Sequence, residues 1–92
     1  MSRNEMISLI RNYLFETFLL GFDESKFSND KSFYEAGVFD SIGILEIVTY
    51  IENVFDIKFE EDEIIPENIS TINNIVDFIM KKDEIKKESK YV

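Results

Sequence analysis

The sequence predicts an all-α fold: a small four-helix bundle with a short third helix and a long loop between the first and second helices. Three observations point there. Apolar residues recur at steps of three and four in three separate segments. No stretch alternates apolar and polar residues over the length of a strand. The one proline, Pro66, breaks the acidic second half between the last two of those segments. With 92 residues, 45% of them apolar and 14% aromatic, the chain can fill one core and is too apolar to stay disordered. One domain over residues 1–92 is therefore expected.

The first helix is expected over residues 3–20. Ile7, Ile10, Leu14 and Phe18 stack on one face, and Gly21 is a natural stop. Residues 21–39, "GFDESKFSNDKSFYEAGVF", carry no period. Their Phe22, Phe27, Phe33, Tyr34, Val38 and Phe39 predict a loop pinned across the bundle. Its acids do not make a calcium loop. Counting from Glu24, a lysine, Lys26, falls at the third position and Asn29 replaces the glycine required at the sixth.

The second helix, residues 41–55, reads "SIGILEIVTYIENVF". Ile44, Ile47, Val48, Ile51 and Phe55 share its inward face, and Asp40 is a good N-cap. Phe39 and Ile44 sit at the spacing of a hydrophobic staple. Residues 56–69 read as an acidic linker with a helical turn or two near 61–65. Ser70 or Thr71 then caps a last helix through about Lys82, with Ile72, Ile75, Val76 and Ile79 inward. The lysine-rich tail from Lys81 to Val92 is expected to fray.

Charge and composition narrow the function. Nineteen acids against ten bases give a net charge of −9, which repels nucleic acid and anionic membranes and favours a basic protein partner. Asp40 to Glu63 alone holds eight acids and one base. Without histidine or cysteine there is no ordinary zinc site and no disulfide. No apolar run is long enough to span a bilayer, and the first residues lack the pattern of a secretory signal, so a cytoplasmic location is expected. The Asn68-Ile69-Ser70 sequon is then a chance match.

Two apolar residues break the polar arc of the second helix. Ile42 falls among the polar positions and Leu45 lies at their margin, both just after Ser41. They either touch the long loop or form a docking patch rimmed by acid. Ser41 allows three readings. It is only a capping residue, a nucleophile, or an acceptor for chemistry supplied by another enzyme. The nucleophile reading lacks a base: there is no histidine, and an aspartate ionised near pH 4 activates an alcohol poorly.

The third reading gains from a resemblance. "YEAGVFDSIGILEIVTYIENVF" is similar to the attachment region of the acyl and peptidyl carrier proteins, whose signature is a glycine, two residues, then Asp-Ser and an aliphatic residue. Gly37, Asp40, Ser41 and Ile42 match it, and the likeness extends over about residues 6–80. The resemblance implies a non-catalytic carrier. Ser41 would bear a covalent 4'-phosphopantetheine arm, installed by a phosphopantetheinyl transferase from coenzyme A, and acyl or aminoacyl groups would ride on that arm as thioesters. Asp40 would help the transferase engage the site, and Gly37 would let the backbone turn. Ile42, Leu45, Glu46, Thr49 and Glu52 would form the face read by loading enzymes and synthases of fatty-acid, polyketide or nonribosomal peptide type. Gly43 and Asn53 stand where fatty-acid carriers often have acids, and the phrasing resembles free-standing carriers of specialised pathways. A monomer is expected. The alternative is an unmodified acidic helical module that docks a basic partner protein.

Overall fold

The computed structural model describes residues 1–37 and 39–89, and among them four α-helices and no strand. Helix α1 spans Arg3–Thr17, α2 Ser41–Phe55, α3 Pro66–Ile69 and α4 Ile72–Ser89, with single 3-10 turns at Glu24–Lys26 and Glu61–Glu63. Val38 and residues 90–92, the end of the tail expected to fray, lie outside the described residues.

Helix α1 begins with a reciprocal cap. The Glu5 amide donates to Ser2 Oγ (3.2 Å) and the Ser2 amide to Glu5 Oε1 (3.0 Å), which holds the Glu5 carboxyl below its ordinary pKa. Its fully inward stripe is Met6, Ile10 and Leu14, whereas Ile7 and Phe18, expected inward, are half-buried on the flanks. The helix also ends earlier than residue 20. The amides of Phe18 and Leu19 both donate to Leu14 O (2.8 Å each), so the last turn widens and Leu19 lies in the core at 0% exposure. Gly21, at φ +95°, then turns the chain away.

The long loop is pinned, as expected, by rings and by hydrogen bonds. Phe27 and Phe33 are buried and stacked, with ring centroids 5.9 Å apart. The Phe33 amide donates to Ser70 O (2.8 Å), and the Asn73 amide donates to Asn29 O (3.0 Å). Arg11, reaching from α1, donates to Phe27 O (2.7 Å), Asn29 Oδ1 (3.0 Å) and Glu24 O (3.1 Å).

Helix α2 buries Ile47, Val48 and Ile51, with Ile44 and Phe55 half-buried against the core. It ends at Asp56 in the left-handed conformation (φ 53°), and the chain leaves through buried Ile57 and Phe59. Pro66 serves as the first residue of α3, where its missing N–H costs no helical bond. At the start of α4 the Asn74 amide donates to Thr71 Oγ1 (3.0 Å), which settles the choice between Ser70 and Thr71 as cap. Helix α4 runs to Ser89, beyond the expected end near Lys82. Lys82 ties α4 to the linker: its ammonium lies 2.6 Å from Glu63 Oε1 and over the Phe78 ring.

Candidate functional site

The loop that leads to α2 is held by aromatic packing before the chain reaches the helix. Phe39 sits against the rings of Phe33 (4.9 Å), Tyr34 (5.7 Å) and Phe18 (6.5 Å). Gly37, just upstream, has φ +70°, and an added Cβ there would meet nothing within 4 Å. The requirement for glycine is therefore conformational and not a matter of space.

Asp40 is extended and its Oδ1 accepts the Gly43 amide at 2.7 Å, the expected N-cap, worth about 1 kcal/mol. The Asp40 backbone carbonyl accepts the Ile44 amide (3.1 Å). This geometry turns its carboxylate toward the helix amides. Ser41 follows as the first helical residue and is exposed. Its surroundings fit a phosphodiester, because the start of a 15-residue helix combines free backbone N–H groups with the positive end of the macrodipole. The hydroxyl is reachable from solvent, and Ile42 beside it is 68% exposed.

The candidate partner face is brought together in part. Ile42, Leu45, Glu46 and Thr49 are exposed on one side of α2, with Thr49 Oγ1 donating to Leu45 O (2.8 Å). Ile42 and Leu45 therefore do not bury themselves under the long loop. Glu52, the fifth residue expected on this face, also has a partner inside the fold. Its Oε2 accepts the Phe59 amide at 2.9 Å, and the side chain is half-buried against the segment that leaves α2. A helical wheel alone puts Glu52 beside Leu45. The chain returning through Phe59 engages Glu52, while Leu45, two turns earlier on the same side, stays 60% exposed.

Sequence reasoning missed the other wall of this face. Tyr13 of α1 stacks on Tyr50 of α2 with centroids 3.7 Å apart and planes 5° from parallel. Together with Ile42, Leu45, Glu46, Thr49 and Asn53 they line an open groove of ≈ 410 Å³. The only available signal was positional: each tyrosine directly precedes a buried residue, Leu14 or Ile51, and so flanks an inward stripe. Burial, then the charge of Glu46, raises the Tyr13 pKa; burial, then Tyr13 and Glu16, raises that of Tyr50. Both hydroxyls thus stay protonated at neutral pH.

A bundle of four helices, with an acidic second helix that starts at an exposed serine, defines a small helical carrier-type domain. The family described as "Phosphopantetheine attachment site" has a model that matches residues 19–79. The chain belongs to that family. It is 34% identical over 74 residues to an acyl carrier protein of Buchnera aphidicola, covering 80% of this chain and 88% of that protein. It is 40% identical over 48 residues to a D-alanyl carrier protein of Streptococcus uberis, covering 52% of this chain and 61% of that one. The crystal structure of an acyl carrier protein from Thermotoga maritima superposes with a TM-score of 0.66 at 28% identity, covering 91% of this chain and 93% of that one. As a member of this family the protein takes a covalently attached 4'-phosphopantetheine.

Proposed function

We propose that this protein carries acyl or aminoacyl intermediates as thioesters on a 4'-phosphopantetheine arm joined to Ser41. It delivers them to partner enzymes of fatty-acid, polyketide or nonribosomal peptide type biosynthesis. The observation that carries this reading is the exposed Ser41 hydroxyl at the first position of α2, behind the Asp40 cap. When bound, the arm supplies a terminal thiol, a group that this cysteine-free chain lacks.

The chain's own residues hold and present the tether. Gly37 makes the left-handed turn, Phe39 anchors it to the core, and Asp40 fixes the helix start so that Ser41 points outward. The dipole and open amides of α2 favour a phosphodiester there by about 0.3–1 kcal/mol. No general base is needed at Ser41, since proton removal falls to the enzyme that installs the arm. Ile42, Leu45, Glu46 and Thr49 offer that enzyme, and the loading enzymes and synthases after it, an apolar patch with an acidic neighbour. The protein acts as one carrier domain over residues 1–92, in the cytoplasm and as a monomer, which suits a chain that visits several partners in turn.

The test is intact-mass measurement after incubation with coenzyme A, magnesium and a broad-specificity phosphopantetheinyl transferase. The mass should rise by one arm, and Ser41→Ala should abolish the rise. An unmodified mass from folded protein across several transferases contradicts the reading. A gain that persists in Ser41→Ala moves the attachment point elsewhere.

A second reading, an unmodified module that docks a basic partner, is supported by the same exposed Ile42 and Leu45, which need no arm to bind a protein. In that case Ser41→Ala leaves cellular function intact while Glu46→Lys impairs it.

A further inference from the structure

We propose that Met80 is a tolerated oxidation site: a peroxide converts its thioether to the sulfoxide and Arg3 takes up the new oxygen, so the joint between α1 and α4 survives the modification. This inference is independent of the reading of Ser41.

The site is a groove between the start of α1 and the middle of α4. Its volume is ≈ 630 Å³, and Met1, Arg3, Met6, Asp77 and Met80 are among its walls. The chain has three methionines, and all of them line this groove. They differ in access. Met1 is 67% exposed and Met80 42%, whereas Met6 is 7% exposed and belongs to the core. A peroxide entering the groove therefore reaches Met1 and Met80 before Met6.

Met80 also has a neighbour suited to the product. Asn73, Asp77 and Met80 follow one another at steps of four and three, which sets them on one stripe of α4. Arg3 of α1 spans that stripe. Its Nη1 donates to Asp77 Oδ1 at 2.6 Å and to Met80 Sδ at 3.7 Å, and its Nη2 donates to Asn73 Oδ1 at 3.2 Å. A thioether sulfur accepts hydrogen bonds weakly, whereas a sulfoxide is polar and its oxygen accepts well. A guanidinium N–H is thus already aimed at the atom that changes.

The reaction needs only the peroxide. The sulfur lone pair that does not face Arg3 attacks one oxygen of hydrogen peroxide. An S–O bond forms as the O–O bond breaks, and the leaving hydroxide takes the proton of the transferred oxygen to become water. The sulfur loses two electrons and the peroxide gains them. Rotation about the Cγ–Sδ bond then turns the oxygen to Arg3 Nη1. An unpaired sulfoxide in this groove would disfavour the fold, and the guanidinium removes that cost. At Met6 the same oxygen would enter the core and disrupt its packing. Oxidation at Met80 therefore consumes peroxide where the fold accommodates it, and enzymes of the methionine sulfoxide reductase class can reverse it.

The experiment treats the full chain with hydrogen peroxide and reads oxygen uptake at each methionine by peptide mass spectrometry, together with the urea midpoint. Met80 should take up one oxygen before Met6 does. Oxidation should leave the wild-type midpoint unchanged or raise it, whereas in Arg3→Leu it should increase the unfolding equilibrium constant about fivefold. Peroxide-treated Met80→Leu gives the share that Met1 contributes. If Arg3→Leu does not fold, Met80→Gln decides, because its side-chain carbonyl carbon and oxygen stand where the sulfur and oxygen of the sulfoxide would. That variant should keep the wild-type midpoint. A midpoint lowered by oxidation of the wild type or by Met80→Gln overturns the proposal. So does an equal response to peroxide with and without Arg3, or oxidation of Met6 ahead of Met80.

Discussion

Glu52 Oε2 accepts the backbone amide of Phe59 at 2.9 Å, joining the last turn of α2 to the segment that leaves it. Between them the chain reverses through left-handed Asp56 and buries Ile57. The acid thus holds the returning chain against the helix and lets Phe59 stack on Phe78 of α4, with centroids 4.5 Å apart.

Removing that acceptor should cost stability. Glu52→Ala leaves a partly buried N–H unsatisfied and should lower the unfolding free energy by about 1–2 kcal/mol. Glu52→Gln retains an acceptor oxygen and should lose about half as much or less. Urea denaturation of both variants checks this, and equal midpoints for wild type and Glu52→Ala would contradict it.

Arg11 does comparable work for the long loop. Its guanidinium serves Phe27 O, Asn29 Oδ1 and Glu24 O at once, a fork that a lysine cannot reproduce. Arg11→Lys should cost about 1–3 kcal/mol. Amide exchange should then quicken at Phe27 and Phe33 before it does so in α4. Uniform acceleration over the whole chain would mean that the loop does not open on its own.

At the site itself, Gly37→Ala puts a Cβ on a backbone at φ +70°, where L-residues are strained by about 1–2 kcal/mol. The melting temperature should drop, and arm installation at Ser41 should slow because relief of the strain displaces Asp40 from its cap. Unchanged melting would show that this turn relaxes without cost.

Acid should weaken the join between the linker and α4. Burial raises the Glu63 pKa, but the Lys82 ammonium and the Glu60 amide outweigh it, so the folded value lies below the ordinary 4.5. A carboxyl depressed in the folded state stabilises the fold above that ordinary value, and its contribution fades as pH falls through the lower folded one. Lys82→Met keeps the apolar stem against Phe78 and removes the charge. It should cost up to about 1 kcal/mol at neutral pH and flatten the loss below pH 4.5. Parallel curves of urea midpoint against pH for the two proteins would exclude the role given to this pair.

Much of the site could be read before any coordinates. Asp40 as cap and Ser41 as the exposed first residue of α2 follow from local rules, since a short polar side chain ahead of an apolar period satisfies the free amides within three residues. The helices themselves announce their periods. Their ends were less legible, because tertiary demands set them: burying Leu19 ends α1 at Thr17, and the Lys82–Glu63 pair accompanies a longer α4. Met6 rather than Ile7 faces the core for the same reason, since the packing of α1 on its neighbours selects which of two adjacent apolar residues points inward.

By itself, then, the sequence determined an acidic all-helical chain with a capped serine at the head of its second helix, because capping and amphipathic periodicity act over three or four residues. Only the tertiary structure decided which edge of that helix is open. The chain returning through Phe59 engages Glu52, and the stacking of Tyr13 on Tyr50 walls the other side. Both contacts join residues far enough apart in sequence that no local pattern encodes them.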